Sequence, residues 1–159
     1  MKIAYFDCFS GISGDMTLAA FLDAGMPLNI LTSELAKLNL TGYTISFEKI
    51  LKNGISGTKI NITIEEENKH RHFSDIKSII SESSLSENIK NTSIRIFENL
   101  ARVEAKIHNT SIDKVHFHEV GALDSILDIV GTAIAFDYFS IEKVYVSKIH
   151  VGTGFTKSM

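Results

Sequence analysis

The chain has 159 residues, 44% hydrophobic and 22% charged, with 16 Lys+Arg against 19 Asp+Glu. That length can bury a core without staples, and the balance is that of a globular protein, not a disordered one. A formal net charge of −3 leaves no electrostatic footprint for DNA or RNA, and one cysteine, Cys8, excludes an internal disulfide framework. The single proline, Pro27, stands where average usage gives about eight. Either the loops are short or the chain is part of a longer natural unit.

No segment reads as a signal peptide or a membrane span. Ile3 to Phe6 is broken by Asp7, and the apolar run from Val120 to Phe139 contains Asp124, Asp128 and Asp137. The expectation is a cytoplasmic protein.

In chain order, Lys2 to Asp7 reads as a short buried strand, followed by the small-residue loop Cys8 to Asp15. Met16 to Ala24 has helical spacing with Gly25 placed to close it, and Pro27 suits the first turn of a helix reaching about Leu38. Tyr43 to Ile50 and Gly57 to Glu66 alternate as strands, and the turn residues of Lys52 to Gly57 make them a hairpin. Glu65 to His72 is a polar break. Helices follow over about Ser74 to Ser81 and Ser86 to His108, the second with Ile89, Ile96, Leu100, Val103 and Ile107 as its apolar stripe. His116 to Val120 reads as extended, Ala122 to Tyr138 as a helix and Lys143 to Val151 as a last strand. The order β-α-α-β-β-α-α-α-β predicts an α+β domain, helices covering a small mixed sheet.

The densest chemical constellation is His116-Phe-His-Glu-Val-Gly-Ala-Leu-Asp-Ser-Ile-Leu-Asp128. In an extended segment His116 and His118 share a face, and Asp124 and Asp128 share one on the following helix. Together with Glu119 they suit a borderline divalent ion such as Zn, Ni, Co or Mn. The alternative is a histidine bonded to a backbone carbonyl and an Asp124 that only stabilises a helix start. His70 and His72 form a second pair in the polar break, where a solvated surface run is the plainer reading. His108, one turn after Glu104, is read as a helix-surface pair.

Asp7 and Asp15 bracket Ser10-Gly-Ile-Ser-Gly14 at a strand-to-helix turn. Backbone N–H groups and a helix N-terminus there favour an anion such as a phosphate, although the pattern is neither a Walker loop nor GxGxxG. A plain turn capped at Asp15 is the competing reading. Cys8 has no base or cation nearby in sequence and reads as a small buried residue.

Tyr5-Phe-Asp-Cys-Phe-Ser-Gly-Ile-Ser-Gly-Asp-Met16 and His116 to Gly131 resemble the two signature segments of the LarC family, the nickel-insertion proteins of nickel-pincer-nucleotide cofactor synthesis. Ala105-Lys-Ile-His108, the closing Val151-Gly-Thr-Gly154 and a histidine-bearing loop before Phe73-Ser-Asp75 also fit. The resemblance implies insertion of Ni²⁺ into pyridinium-3,5-bisthiocarboxylic acid mononucleotide, dependent on CTP with Mg²⁺ or Mn²⁺, to make the cofactor of enzymes such as lactate racemase. It also implies that residues 1–159 are a single domain, the N-terminal part of a longer chain whose nucleotide-binding C-terminal half is its partner. The cofactor-accepting racemase is a further partner implied.

Under that resemblance His116, His118 and Glu119 are the expected catalytic and nickel-binding groups, assisted by Asp124 and Asp128. His70 and His72 would collect the metal, more weakly than the denser histidine run of several relatives. Ser10, Gly11, Ser13 and Gly14 would hold the substrate phosphate, with Asp7 or Asp15 positioning a divalent ion. The rival expectations are a non-catalytic nickel-carrying or interaction module and a metal-dependent phosphatase.

Overall fold

The computed structural model describes residues 1–65, 71–115, 117 and 121–155. β1 (Lys2–Phe6) turns Ala4 and Phe6 inward and leaves Ile3 and Tyr5 exposed. α1 (Gly14–Asp23) starts at Ser13, whose hydroxyl accepts the Met16 N–H, and ends at Ala24 with Gly25 in the left-handed region (φ +105). Pro27 occupies the cap of α2 (Leu28–Ala36), a place that needs no donated hydrogen bond.

β2 (Tyr43–Lys52) and β3 (Ile55–Ile64) pair antiparallel from Tyr43–Ile64 to Lys52–Ile55. Only Asn53 and Gly54 lie between them, with φ of 53° and 80°, so the turn is the two-residue kind that matches strand twist. This is tighter than the six-residue turn the sequence suggests, and β3 starts earlier, at Ile55. α3 (Phe73–Glu82) is held at its start by Asp75, whose carboxylate accepts the His72 N–H at 2.8 Å. α4 (Glu87–Ile107) is capped by Ser86, and α5 (Leu123–Tyr138) leads into β4 (Ile141–Val146).

The α+β class and the order of elements are as expected, with a 3₁₀ turn at Ile112–Lys114 added between α4 and α5. Among the described residues, both strand orientations occur, in two separate ribbons: β1 and β4 parallel, β2 and β3 antiparallel. The last strand starts and stops earlier than its β-rich sequence, and beyond it Ser147 and His150 lie against the loop after β1.

α5 is the centre of the molecule. α1, α2, α4 and β3 pack around it and β4 returns along it, which buries Leu123, Ile126, Leu127, Val130 and Ile134. Gly131 makes the closest approach possible: a Cβ there would stand 2.9 Å from Leu18 and 3.3 Å from Leu31, the fully buried leucines of α1 and α2. Phe6, Phe21, Phe136 and Phe139 form one aromatic cluster beneath β1, with ring centroids 5.7 to 6.3 Å apart.

One expectation fails. The stripe read on α4 does not face the core, apart from Ile89. The buried face is Ile89, Ser93, Phe97, Ala101 and Ala105, while Leu100, Val103 and Ile107 are exposed. The helix carries two apolar faces, and the one with small residues at Ser93, Ala101 and Ala105 is the one that lets it approach its neighbours.

This assignment predicts opposite results for two truncations on one helix. Phe97→Ala should cost about 3–5 kcal/mol in urea unfolding, as for a fully buried ring. Val103→Ala should change stability by less than about 0.5 kcal/mol.

Candidate functional site

The site is built where the start of α1 meets the first two turns of α5. Gly14, the first residue of α1, lies on the side chain of Asp128, so closely that a Cβ on Gly14 would overlap its carboxylate. Asp124 lies one turn before Asp128 on α5, and Asp15 follows Gly14 on α1. Asp128 is half-buried, and its Oδ1 is buried with no hydrogen-bond partner among the described residues. Burial first, then the charges of Asp15 and Asp124, push its carboxyl up to about 6. The acidic residues that the sequence separates by more than a hundred positions are therefore electrostatic neighbours.

Asp15 and Asp124 are otherwise satisfied locally. Asp15 Oδ1 accepts from Ser13 Oγ at 2.5 Å and from Met16 N at 2.9 Å; Asp124 Oδ1 accepts from Ser125 N at 2.6 Å. Both sit in helix first turns, where the macrodipole favours a carboxylate. Asp7 is exposed at the end of β1, and the charges acting on Asp128 are those of Asp15 and Asp124, not Asp7.

The loop between β1 and α1 is pinned from the far end of the chain. Cys8 N donates to Ser147 Oγ at 2.7 Å, Ser147 N donates to Phe6 O at 2.9 Å, and Gly11 (φ +86) passes the carbonyl of His150. Gly11 N closes the turn onto Cys8 O, and Ser10 is exposed on it. Cys8 itself is buried, as the sequence suggests. Ser147 does this work although nothing in its sequence context marks it.

On the other side of the α5 N-terminus lies the second histidine segment. Gly121 packs against Arg71, where a Cβ would stand 2.9 Å from the Arg71 carbonyl, and Arg71 Nη1 donates to Gly121 O at 3.3 Å. His72 Nδ1 lies 3.3 Å from Val115 O, the same carbonyl that accepts the Phe73 N–H. Val115 and Phe117 are buried, Phe117 against Phe97. Val115 and Gly121, which flank residues 116–120 in the chain, are thus tied to His72 and Arg71 respectively. His70, His116, His118 and Glu119 themselves lie outside the described residues. Among the described residues no three His, Cys, Asp or Glu side chains converge into a metal-holding group. His108 makes the expected surface pair, its Nε2 3.2 Å from Glu104 Oε2.

The fold and site define an α+β domain in which the acidic starts of two helices, α1 and α5, converge. Residues 4–159 match the family model described as nickel insertion protein, and the chain belongs to that family. It is 53% identical over 158 residues to the pyridinium-3,5-bisthiocarboxylic acid mononucleotide nickel insertion protein of Desulfitobacterium hafniense (strain DSM 10664 / DCB-2), covering 99% of this chain and 39% of that protein. The protein of the same description from Acetivibrio thermocellus is 52% identical over 164 residues, covering 98% of this chain and 40% of its own length. The chain thus spans about two fifths of the length of these curated relatives. No solved structure matches it.

Two measurements follow from the geometry. Gly14→Ala should lower stability by about 1–3 kcal/mol through overpacking, and Asp128→Ala should recover part of that loss in a double-mutant cycle. For Asp128, a raised folded pKa means stability that is full below about pH 4 and is lost as pH rises to about 6. With a chelator present, Asp128→Asn should therefore gain on the wild type by about 1–2 kcal/mol between pH 4 and pH 7.5, a value reduced for partial solvent exposure. A difference independent of pH would contradict the placement of Asp128.

Proposed function

We propose that this chain is the nickel-handling domain of a nickel insertase that converts pyridinium-3,5-bisthiocarboxylic acid mononucleotide to its nickel complex. The observation that carries the reading is the half-buried Asp128, with no partner for one oxygen among the described residues and with Asp15 and Asp124 as its charged neighbours. A half-buried carboxylate beside two exposed ones is repelled by them, and a divalent cation removes that cost. The tie of His72 to Val115, next to His116 in the chain, supports a role for the histidines in the same task.

In this reading His116, His118 and Glu119 bind Ni²⁺, with Asp124 and Asp128 completing its surroundings and His70 and His72 feeding it. Imidazole and carboxylate hold nickel firmly enough to position it, and release it to the softer thiocarboxylate sulfurs of the substrate. The nickel–carbon bond forms as the ring C–H bond breaks: its electron pair goes to nickel and its proton to a base. His116, His118 or Glu119 accepts that proton.

The substrate phosphate rests at the start of α1, on Ser10, Gly11, Ser13 and Gly14. Asp15 already occupies the positive end of that helix, so a phosphate there needs a cation between it and the carboxylate, which Asp15 or Asp7 positions. We assign the CTP dependence, with its Mg²⁺ or Mn²⁺, to the part of the longer polypeptide that this chain does not span. The product serves a cytoplasmic racemase of the lactate type. Among the described residues no helix is long and apolar enough to cross a membrane.

A second reading is favoured by the share of the relatives that the chain spans: a domain that carries nickel while the remainder performs the insertion. Calorimetric titration with Ni²⁺ tests the first reading. His116→Ala/His118→Ala should weaken binding by about 10–100-fold or abolish it, and Asp128→Asn should weaken it less. Unchanged affinity and stoichiometry in the double variant would remove both histidines from the site. Binding lost without loss of insertion, in a longer protein carrying the same changes, would favour the carrier reading.

A further inference from the structure

A parallel sheet of two strands is an unusual thing to find alone. Parallel strands occur in sheets covered on both faces, and two strands seldom suffice for stability. Among the described residues, β4 pairs with β1 and with nothing on its other edge. The register sets Ala4 beside Val144 and Phe6 beside Val146. Residues opposed in a ladder share a face, so Val144 and Val146 belong to the inner face with Phe6. Yet they are 43% and 49% exposed.

The reason lies beside them. A groove of about 800 Å³ runs between β4, the C-terminal half of α5 and the N-terminal half of α4, with Ile96, Phe136, Ile141 and Val144 in its walls. Asn88, Arg95, Asp137 and Glu142 give it a polar rim. Along α4 the apolar surface continues past the groove through Leu100, Val103 and Ile107, 36%, 58% and 69% exposed. The last three residues of β4, Val144-Tyr-Val146, have neither a charge nor a proline to blunt the edge.

We propose that the free edge of β4 and this groove seat a further β-strand, which extends the β1–β4 sheet over α4 and is supplied by the part of the longer polypeptide that the relatives carry and this chain does not span. Main-chain hydrogen bonds to β4 give the attachment, and apolar side chains on the inner face of the new strand cover Val144, Val146 and Ile96. The relatives have the chain to provide it, since residues 1–159 cover about two fifths of them. A second copy fits less well. Its β4 carries α5 against the inner face, which leaves that helix and α4 competing for one space. The inference is independent of the nickel assignment.

The test uses a chimera of the Desulfitobacterium hafniense relative in which this chain replaces the region it matches, compared with the 159-residue chain alone by hydrogen–deuterium exchange. Amides of residues 143–146 should exchange roughly 100-fold or more slowly in the chimera, while those of the hairpin turn at 53–54 stay unchanged. Equal exchange at 143–146 in both proteins would overturn the proposal. A second arm does not depend on how well the isolated chain folds: cross-linking from Lys143 in the chimera should reach the part of the relative outside the match. Cross-links from Lys143 to a second copy, with a dimeric mass for the chain alone, would assign the edge to self-association and also overturn it.

Discussion

The arrangement of the whole site rests on how closely α1 approaches α5. Two glycines, one on each helix, set that distance. Gly131 admits Leu18 and Leu31 into the middle of α5, and Gly14 lets the first turn of α1 settle on Asp128. Helix interiors disfavour glycine by about 1 kcal/mol relative to alanine, so Gly131 is costly in local terms and is offset by the close packing it permits. Without the approach at Gly14, Asp15 and Asp128 would belong to separate surfaces.

Close packing brings an electrostatic consequence. Asp128 loses solvent to the backbone of α1 and gains Asp15 and Asp124 as neighbours, all of which disfavour its charge. Asp15 and Asp124 are stabilised by helix starts and by hydrogen bonds from Ser13, Met16 and Ser125. Asp128 has no such support for its inner oxygen among the described residues. A structural ion pair would have placed a lysine or arginine here. The charges that act on it among the described residues are those of two acids, Asp15 and Asp124.

Much of this was legible in the chain before any coordinates. The strand, loop and helix at the start follow from Lys2 to Asp15, and the hairpin, though not its tight two-residue turn, follows from the turn residues of Lys52 to Gly57. Asp124 and Asp128 on one helix face follow from spacing four. What spacing could not supply were contacts between distant segments. His72 reads as part of a solvated run because its tie to Val115 is made across 43 residues, and Gly14 reads as one more loop glycine because Asp128 is its neighbour only in space. The α4 stripe fails for a different reason. Periodicity finds apolar faces but does not rank them, and here the face that combines Phe97 with the small Ser93, Ala101 and Ala105 took the interior.

The misread stripe and the half-built sheet have one physical explanation. Leu100, Val103 and Ile107 are apolar for a reason that the core does not provide, and so are Val144 and Val146. Scattered exposed apolar residues need no account, but these lie on α4 and β4, the two elements whose Ile96 and Val144 line one groove. A hydrophobic pattern that is correct in period and wrong in partner is what a chain shows when part of its packing lies in residues outside it. On that view the periodicity of α4 was not misleading. It registered a second interior, one that the described residues only begin to form.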